Sequence, residues 1–252
     1  IAVGAGQVLN IYIIPNLLNA SGTTCRVENN TSITVSTGSP ASISGAATAT
    51  AFTTTYGSPS AFQSFFVSGT NLTANLLATA PTGFEVSSDA GVTYGNTASF
   101  TQSSGNASGT LRIRLKATAA VSGTYNSQNI VLSSGSASTV NISTSSAGNV
   151  VSPTNLTITA NPQTVSFGDA VTSIITAGSY VSTGFVNGET PSVISGTVSY
   201  TTNYTDTTPA GTSGITITPV VSSLTASNYS FTPANGVITI ASSPVPAINS
   251  SL

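Results

Sequence analysis

The sequence predicts an all-β protein, built as sandwiches or barrels, on three observations. Thr, Val and Ile dominate, Gly, Pro and Asn punctuate them, and long runs of helix formers are missing. Apolar side chains alternate with polar ones nearly throughout. Strand candidates recur about every 8 to 12 residues, with turn signals between them. The length of 252 residues fits two ordinary domains better than one. Domains of about 100 residues bury a core without metal or disulfide staples.

Charge is the outlier. Lys and Arg number 4, and Asp and Glu 6, where soluble domains carry about a quarter of their residues charged. Solubility must come from the 42 Ser and 42 Thr. The apolar fraction is too high for a disordered chain. A net charge of −2 excludes nucleic-acid binding driven by phosphate neutralisation. It also does little to keep copies of the chain apart. No run of about 20 apolar residues is present, so no membrane span is expected. Cys25 has no second Cys to pair with, and Met, Trp and His are absent. This inventory reads as an exported wall or surface protein. Ile1 opens without a basic region, so the leader of such a protein is expected to have been removed.

Residues 1–30 form an N-terminal segment whose greasiest stretch is VLNIYII (8–14). Leu9, Ile11 and Ile13 point one way, and Val8, Tyr12 and Ile14 the other. Apolar character on both faces is unusual for a strand exposed to water. It suits a strand held in a groove, either the chain's own or a neighbouring copy's. Pro15 ends it. Residues 31–146 read as one β-sandwich domain. Within it, TLRIRLKAT (110–118) alternates Leu111, Ile113 and Leu115 with Arg112, Arg114 and Lys116. Small residues and Pro153 mark 147–153 as a linker. NLTITA, GITITP and GVITIA continue the alternation through a second domain, 154–242, with a tail at 243–252. Asn187-Gly188 and Asn235-Gly236 are the sharpest turn marks, because both residue types tolerate positive φ.

VSFGDAV (165–171), GFVNGETPSVISGTVSYTT (184–202), TPAGTSGITIT (208–218) and LTASNYSFTPANGVITI (224–240) resemble the MBG-type bacterial immunoglobulin-like module. Phe167 stands where that family usually has Tyr, and Glu189 where it usually has Asp. TTYGSPSAFQSFFVSGTNLTANLLATAPTGFEVSSD (54–89), LRIRLKAT (111–118) and GTYNSQNIVLSS (123–134) are similar to a second recurrent sandwich repeat of bacterial surface proteins. Together these resemblances imply two tandem immunoglobulin-like β-sandwich domains behind an N-terminal extended strand segment, outside the cell and without catalysis. Thr55-Tyr56-Gly57 and Ser166-Phe167-Gly168 echo one another 111 residues apart, as tandem modules would.

The residue inventory opposes catalysis. Without His there is no imidazole base, no Ser-His-Asp triad and no His-ligated metal. One Cys excludes Cys-rich zinc sites, and no cofactor is expected. Glu85 and Asp89 could begin a calcium loop, but two solvated carboxylates at a strand end are the favoured reading. The Arg112, Arg114 and Lys116 stripe either meets an acidic partner or surface polysaccharide, or is a solvated sheet face guarding against unwanted pairing. The second reading is favoured. An isopeptide bond from Lys116 to an Asn, with an acid such as Glu85, needs a burial that the alternation opposes. Sequons such as Asn71, Asn141 and Asn155 are too frequent by chance to carry a glycosylation claim.

Two functions remain. In one, the chain is a subunit of an extracellular filament, pilus- or fimbria-like, whose partners are other copies of itself. Val8, Leu9, Ile11, Tyr12, Ile13 and Ile14 would be donated head to tail, a heterologous contact that builds filaments when it does not close. Cys25 would be a candidate for a bridge between copies, against its reading as a buried small apolar residue. In the other, the chain is a non-polymeric adhesin stalk or spacer within a larger bacterial surface or secreted protein, and host, surface or polysaccharide is its possible contact. Residues 8–14 would then complete its own sheet.

Overall fold

The computed structural model describes residues 39–242 in full, and the backbone of 8–13, 16–18, 24–26 and 29–34. The N-terminal segment contains β1 (Val8–Ile13), β2 (Asn16–Leu18), β3 (Thr24–Arg26) and β4 (Asn29–Thr34). β1 runs antiparallel to β4, from Val8 opposite Thr34 to Ile13 opposite Asn29. β2 pairs with β3, which places Cys25 opposite Leu17. Both are two-stranded sheets, and neither joins the sandwich sheets among the described residues. Ile14 and the tail 243–252 lie outside the described residues.

The first sandwich contains β5 (Ser42–Ser44), β6 (Ala47–Thr48), β7 (Thr53–Thr55), β8 (Gln63–Thr70), β9 (Leu76–Thr79), β10 (Phe84–Ser87), β11 (Thr97–Phe100), β12 (Ala107–Leu115), β13 (Asn129–Ser133), β14 (Val140–Ser143) and β15 (Val150–Ser152). One sheet has the order β10-β12-β8-β5 and the other β11-β9-β13-β14-β6. The alternation read in 110–118 decides which face goes inward. Leu111, Ile113 and Leu115 are fully buried, against Leu76, Ile130, Leu132 and Ile142 of the facing sheet. Phe52 and Phe84 meet edge to face at 5.4 Å between ring centres, and Tyr125 closes on Phe84 at 5.9 Å. β7 and β15 stand apart as a parallel pair, Thr55 opposite Ser152. Three of the seven residues expected as a linker, Val150–Ser152, therefore carry strand.

The second sandwich contains β16 (Thr154–Ala160), β17 (Gln163–Ser166), β18 (Tyr180–Thr183), β19 (Ser199–Thr202), β20 (Thr216–Val220), β21 (Tyr229–Ala234) and β22 (Gly236–Ala241). Its sheets have the orders β18-β16-β21 and β17-β22-β20-β19. Val165, Ile215, Ile217, Ile238 and Ile240 form its core around buried Tyr204. A short helix, α1 (Val171–Thr176), was not expected. Val171, Ile174 and Ile175 have helical spacing, and Ile174 enters the core.

The two turn marks part company. Asn187 and Gly188 have φ of 54° and 74°, as expected. Asn235-Gly236 is not a hairpin turn, and this corrects the sequence reading. Neither residue has positive φ. Gly236 already lies in β22, and the chain crosses there from one sheet to the other. Glycine is needed for closeness instead, since a Cβ would stand 2.5 Å from the Ala160 carbonyl oxygen.

Candidate functional site at the joint between the sandwiches

Polar and aromatic groups come together where the two sandwiches meet. β15 ends at Ser152 and β16 begins at Thr154, so one residue, Pro153, connects them. The core of the first sandwich runs on into the second through Leu156 and Tyr229, with Phe185, Val186 and Phe231 packed against it.

Tyr56 follows β7 directly. Its amide donates to the Ser152 carbonyl at 2.9 Å, and the Ser58 amide donates back to Thr55 at 3.0 Å, closing a turn. Gly57 takes φ of +92° in that turn, a value glycine adopts without steric cost. The turn carries Val186 against Gly57: a Cβ on Gly57 would stand 2.6 Å from the Val186 side chain. The left-handed pair Asn187-Gly188 then folds the chain back, and Glu189 returns to the joint. Its carboxylate accepts from the Tyr56 hydroxyl at 3.0 Å and from the Tyr229 hydroxyl. The Tyr229 oxygen in turn accepts from the Val186 amide at 3.2 Å. The two tyrosine rings meet edge to face, centres 5.6 Å apart. Burial first, and the bond to Glu189 second, push the Tyr229 phenol above its ordinary value. The rim adds Asn187 Nδ2 donating to Ala117 at 3.3 Å and the Val121 amide donating to Asn228 Oδ1 at 3.0 Å. Thr154 donates its hydroxyl to the Tyr56 carbonyl.

This arrangement can hold two bodies in one orientation. One carboxylate shared by tyrosines from both sides, with apolar packing around it, is a directional clamp. It offers no nucleophile beside a base. An open hollow of about 560 Å³ in the first sandwich is lined by Gly83, Lys116, Ser122 and Tyr125 among others, without a carboxylate.

The cation stripe is engaged within the chain. Arg114 Nε meets Glu85 at 2.7 Å and its guanidinium lies 3.6 Å from the Tyr94 ring centre. Arg112 lies over Phe62 at 4.2 Å and donates to the Ala90 carbonyl. Lys116 donates to exposed Asn96 at 2.5 Å, in the open rather than in the burial an isopeptide bond requires. Asp89 is tied to Ser87 and Thr93, whose hydrogen bonds hold its carboxyl far below the usual range. Val8, Leu9, Ile11, Tyr12 and Ile13 lie in β1, and Cys25 in β3, away from the joint in sequence and in sheet pairing.

The sequence reading missed the joint. A usable signal was present: in a chain this poor in charge, Glu189 sits inside a motif rich in Gly and Asn, and a rare carboxylate there calls for partners.

Residues 156–239 match the family model described as MBG domain (YGX type). That is the module the motifs of 165–240 resemble, a structural immunoglobulin-like module of bacterial surface proteins and not an enzyme family. No curated protein and no solved structure matches the chain. Among the described residues, no helix is long and apolar enough to cross a membrane.

Proposed function

We propose that the chain is a stiff structural spacer of an extracellular bacterial surface protein, holding other parts at a fixed distance and angle. The observation that carries this is the Tyr56–Glu189–Tyr229 clamp over a core continuous between the sandwiches. A flexible tether needs neither. A connection of one residue, with a proline in it, removes the freedom that an interdomain linker would have. Among the described residues, Arg112, Arg114, Lys116 and Glu85 serve the sheet surface, Asp89 and Asp169 serve turns and Glu189 serves the joint, so these ionisable groups support mechanics and not turnover. Antibody raised against residues 39–242 should label intact, unpermeabilised cells. Labelling only after lysis would overturn the extracellular assignment.

The filament reading keeps one favourable observation. β1 has one strand neighbour, β4, among the described residues, and the pair stands outside both sandwiches. A two-stranded sheet of this kind has edges to which a further strand can add. Deleting residues 1–14 would then leave folded sandwiches that no longer assemble. Polymers that persist after the deletion would remove strand donation. A non-reducing gel reports on Cys25: a band unaltered by reductant removes the bridge between copies.

A further inference from the structure

The corner that receives the clamp in the first sandwich exists a second time. β17 pairs in parallel with β22, Ser166 opposite Ala241, as β7 pairs with β15, Thr55 opposite Ser152. The Phe167 amide donates to Ala241 at 3.4 Å, as Tyr56 donates to Ser152 at 2.9 Å. The Asp169 amide closes the turn onto Ser166 at 3.1 Å, as Ser58 closes it onto Thr55. Gly168 has φ of +88° against +92° for Gly57. Backbone, strand partner and turn are thus the same at both corners.

The surroundings differ. Tyr56 is 6% exposed and Gly57 lies against Val186, whereas Phe167 is 50% exposed and nothing among the described residues lies within 4 Å of a Cβ on Gly168. An aromatic ring left half in water beside a glycine corner has the shape of the first corner with its occupant removed. We propose that Phe167-Gly168 is a docking corner for a further module of the same kind, one that presents a Val-Asn-Gly-acid turn like Val186–Glu189. A second free copy of this chain is a poor occupant, because its own Val186–Glu189 turn is already spent on its own Tyr56. Phe167 has no hydroxyl to give the incoming acid. The contact is therefore apolar, with valine on glycine and ring, and the acid keeps only the tyrosine of its own module. The proposal concerns the corner alone and does not depend on where the protein resides.

The test extends the chain in register. A second copy of residues 153–252 is fused directly after Ala241, the position equivalent to Ser152. Phe167→Trp in the first copy supplies a single fluorophore, since the chain has no Trp. In the extended chain the emission should move to the blue. Acrylamide quenching should fall several-fold, as exposure drops from 50% towards the 6% of Tyr56. Val186→Asp in the appended copy should reverse both changes. Gly168→Ala should destabilise the extended chain more than the original. Solvent-like emission beside a folded appended copy would overturn the proposal. So would an appended copy that does not fold, because the corner is proposed to support it as Tyr56-Gly57 supports the resident one. Burial of the fluorophore that is lost on deleting 243–252 from the unextended chain would also overturn it, by making the tail the occupant.

Discussion

The Tyr56-Gly57 and Phe167-Gly168 corners share backbone and turn, and differ in what lies on them. At the first, a valine, a left-handed Asn-Gly pair and a carboxylate close over the ring. At the second, the ring meets water. The comparison separates two uses of one glycine. Gly57 is required twice, for positive φ and for the approach of Val186. Gly168 is required once, for φ alone.

The largest expected difference follows from that separation. Gly57→Ala should cost about 2–4 kcal/mol, the sum of left-handed strain and overpacking on Val186. Gly168→Ala should cost about 1 kcal/mol. Urea unfolding of the two variants measures both, and equal losses would mean that Val186 yields without cost. Next comes the clamp. Glu189→Ala leaves two tyrosine hydroxyls without their acceptor and should cost about 2–3 kcal/mol. Tyr56→Phe, which removes one donor, should cost about 1 kcal/mol. Because they share one carboxylate, the two losses should not add in the double variant.

A smaller effect concerns pH. The Tyr229 phenol is raised in the folded state, chiefly by burial and then by Glu189. A raised phenol favours the protonated fold. Its stabilisation is therefore complete below the unfolded value of about 10 and is lost as pH rises through the folded value. Tyr125 and Tyr200 are raised by burial too and act in the same direction. Tyr229→Phe should flatten part of the alkaline decline in a stability–pH series. An unchanged slope would assign that decline to the other two. The smallest effect is expected for Phe167→Tyr, within about 0.5 kcal/mol in this chain because the ring is a surface group.

Much of the fold was legible because period two writes burial directly. Leu111, Ile113 and Leu115 went inward as the alternation required, and so did Leu156, Ile158, Ile238 and Ile240. The MBG-type motifs located the second module for the same reason, being strand ends and turns at fixed offsets. The joint was not legible, because Glu189 meets tyrosines 40 and 133 positions away, and no local period records such a meeting. Asn235-Gly236 misled because a glycine chosen for closeness looks, in sequence, like one chosen for a turn. Helix α1 is shorter than two full turns, too short for its spacing to stand out from a strand-rich background.

A spacer of this kind requires a rigid joint, and residual dipolar couplings measure that rigidity directly. Amide couplings from residues 39–152 and from 154–242 should fit one alignment tensor, of the same magnitude and orientation for both sandwiches. Glu189→Ala should separate the two fits. Distinct tensors in the unsubstituted protein would contradict the account, because the sandwiches would then move independently across Pro153.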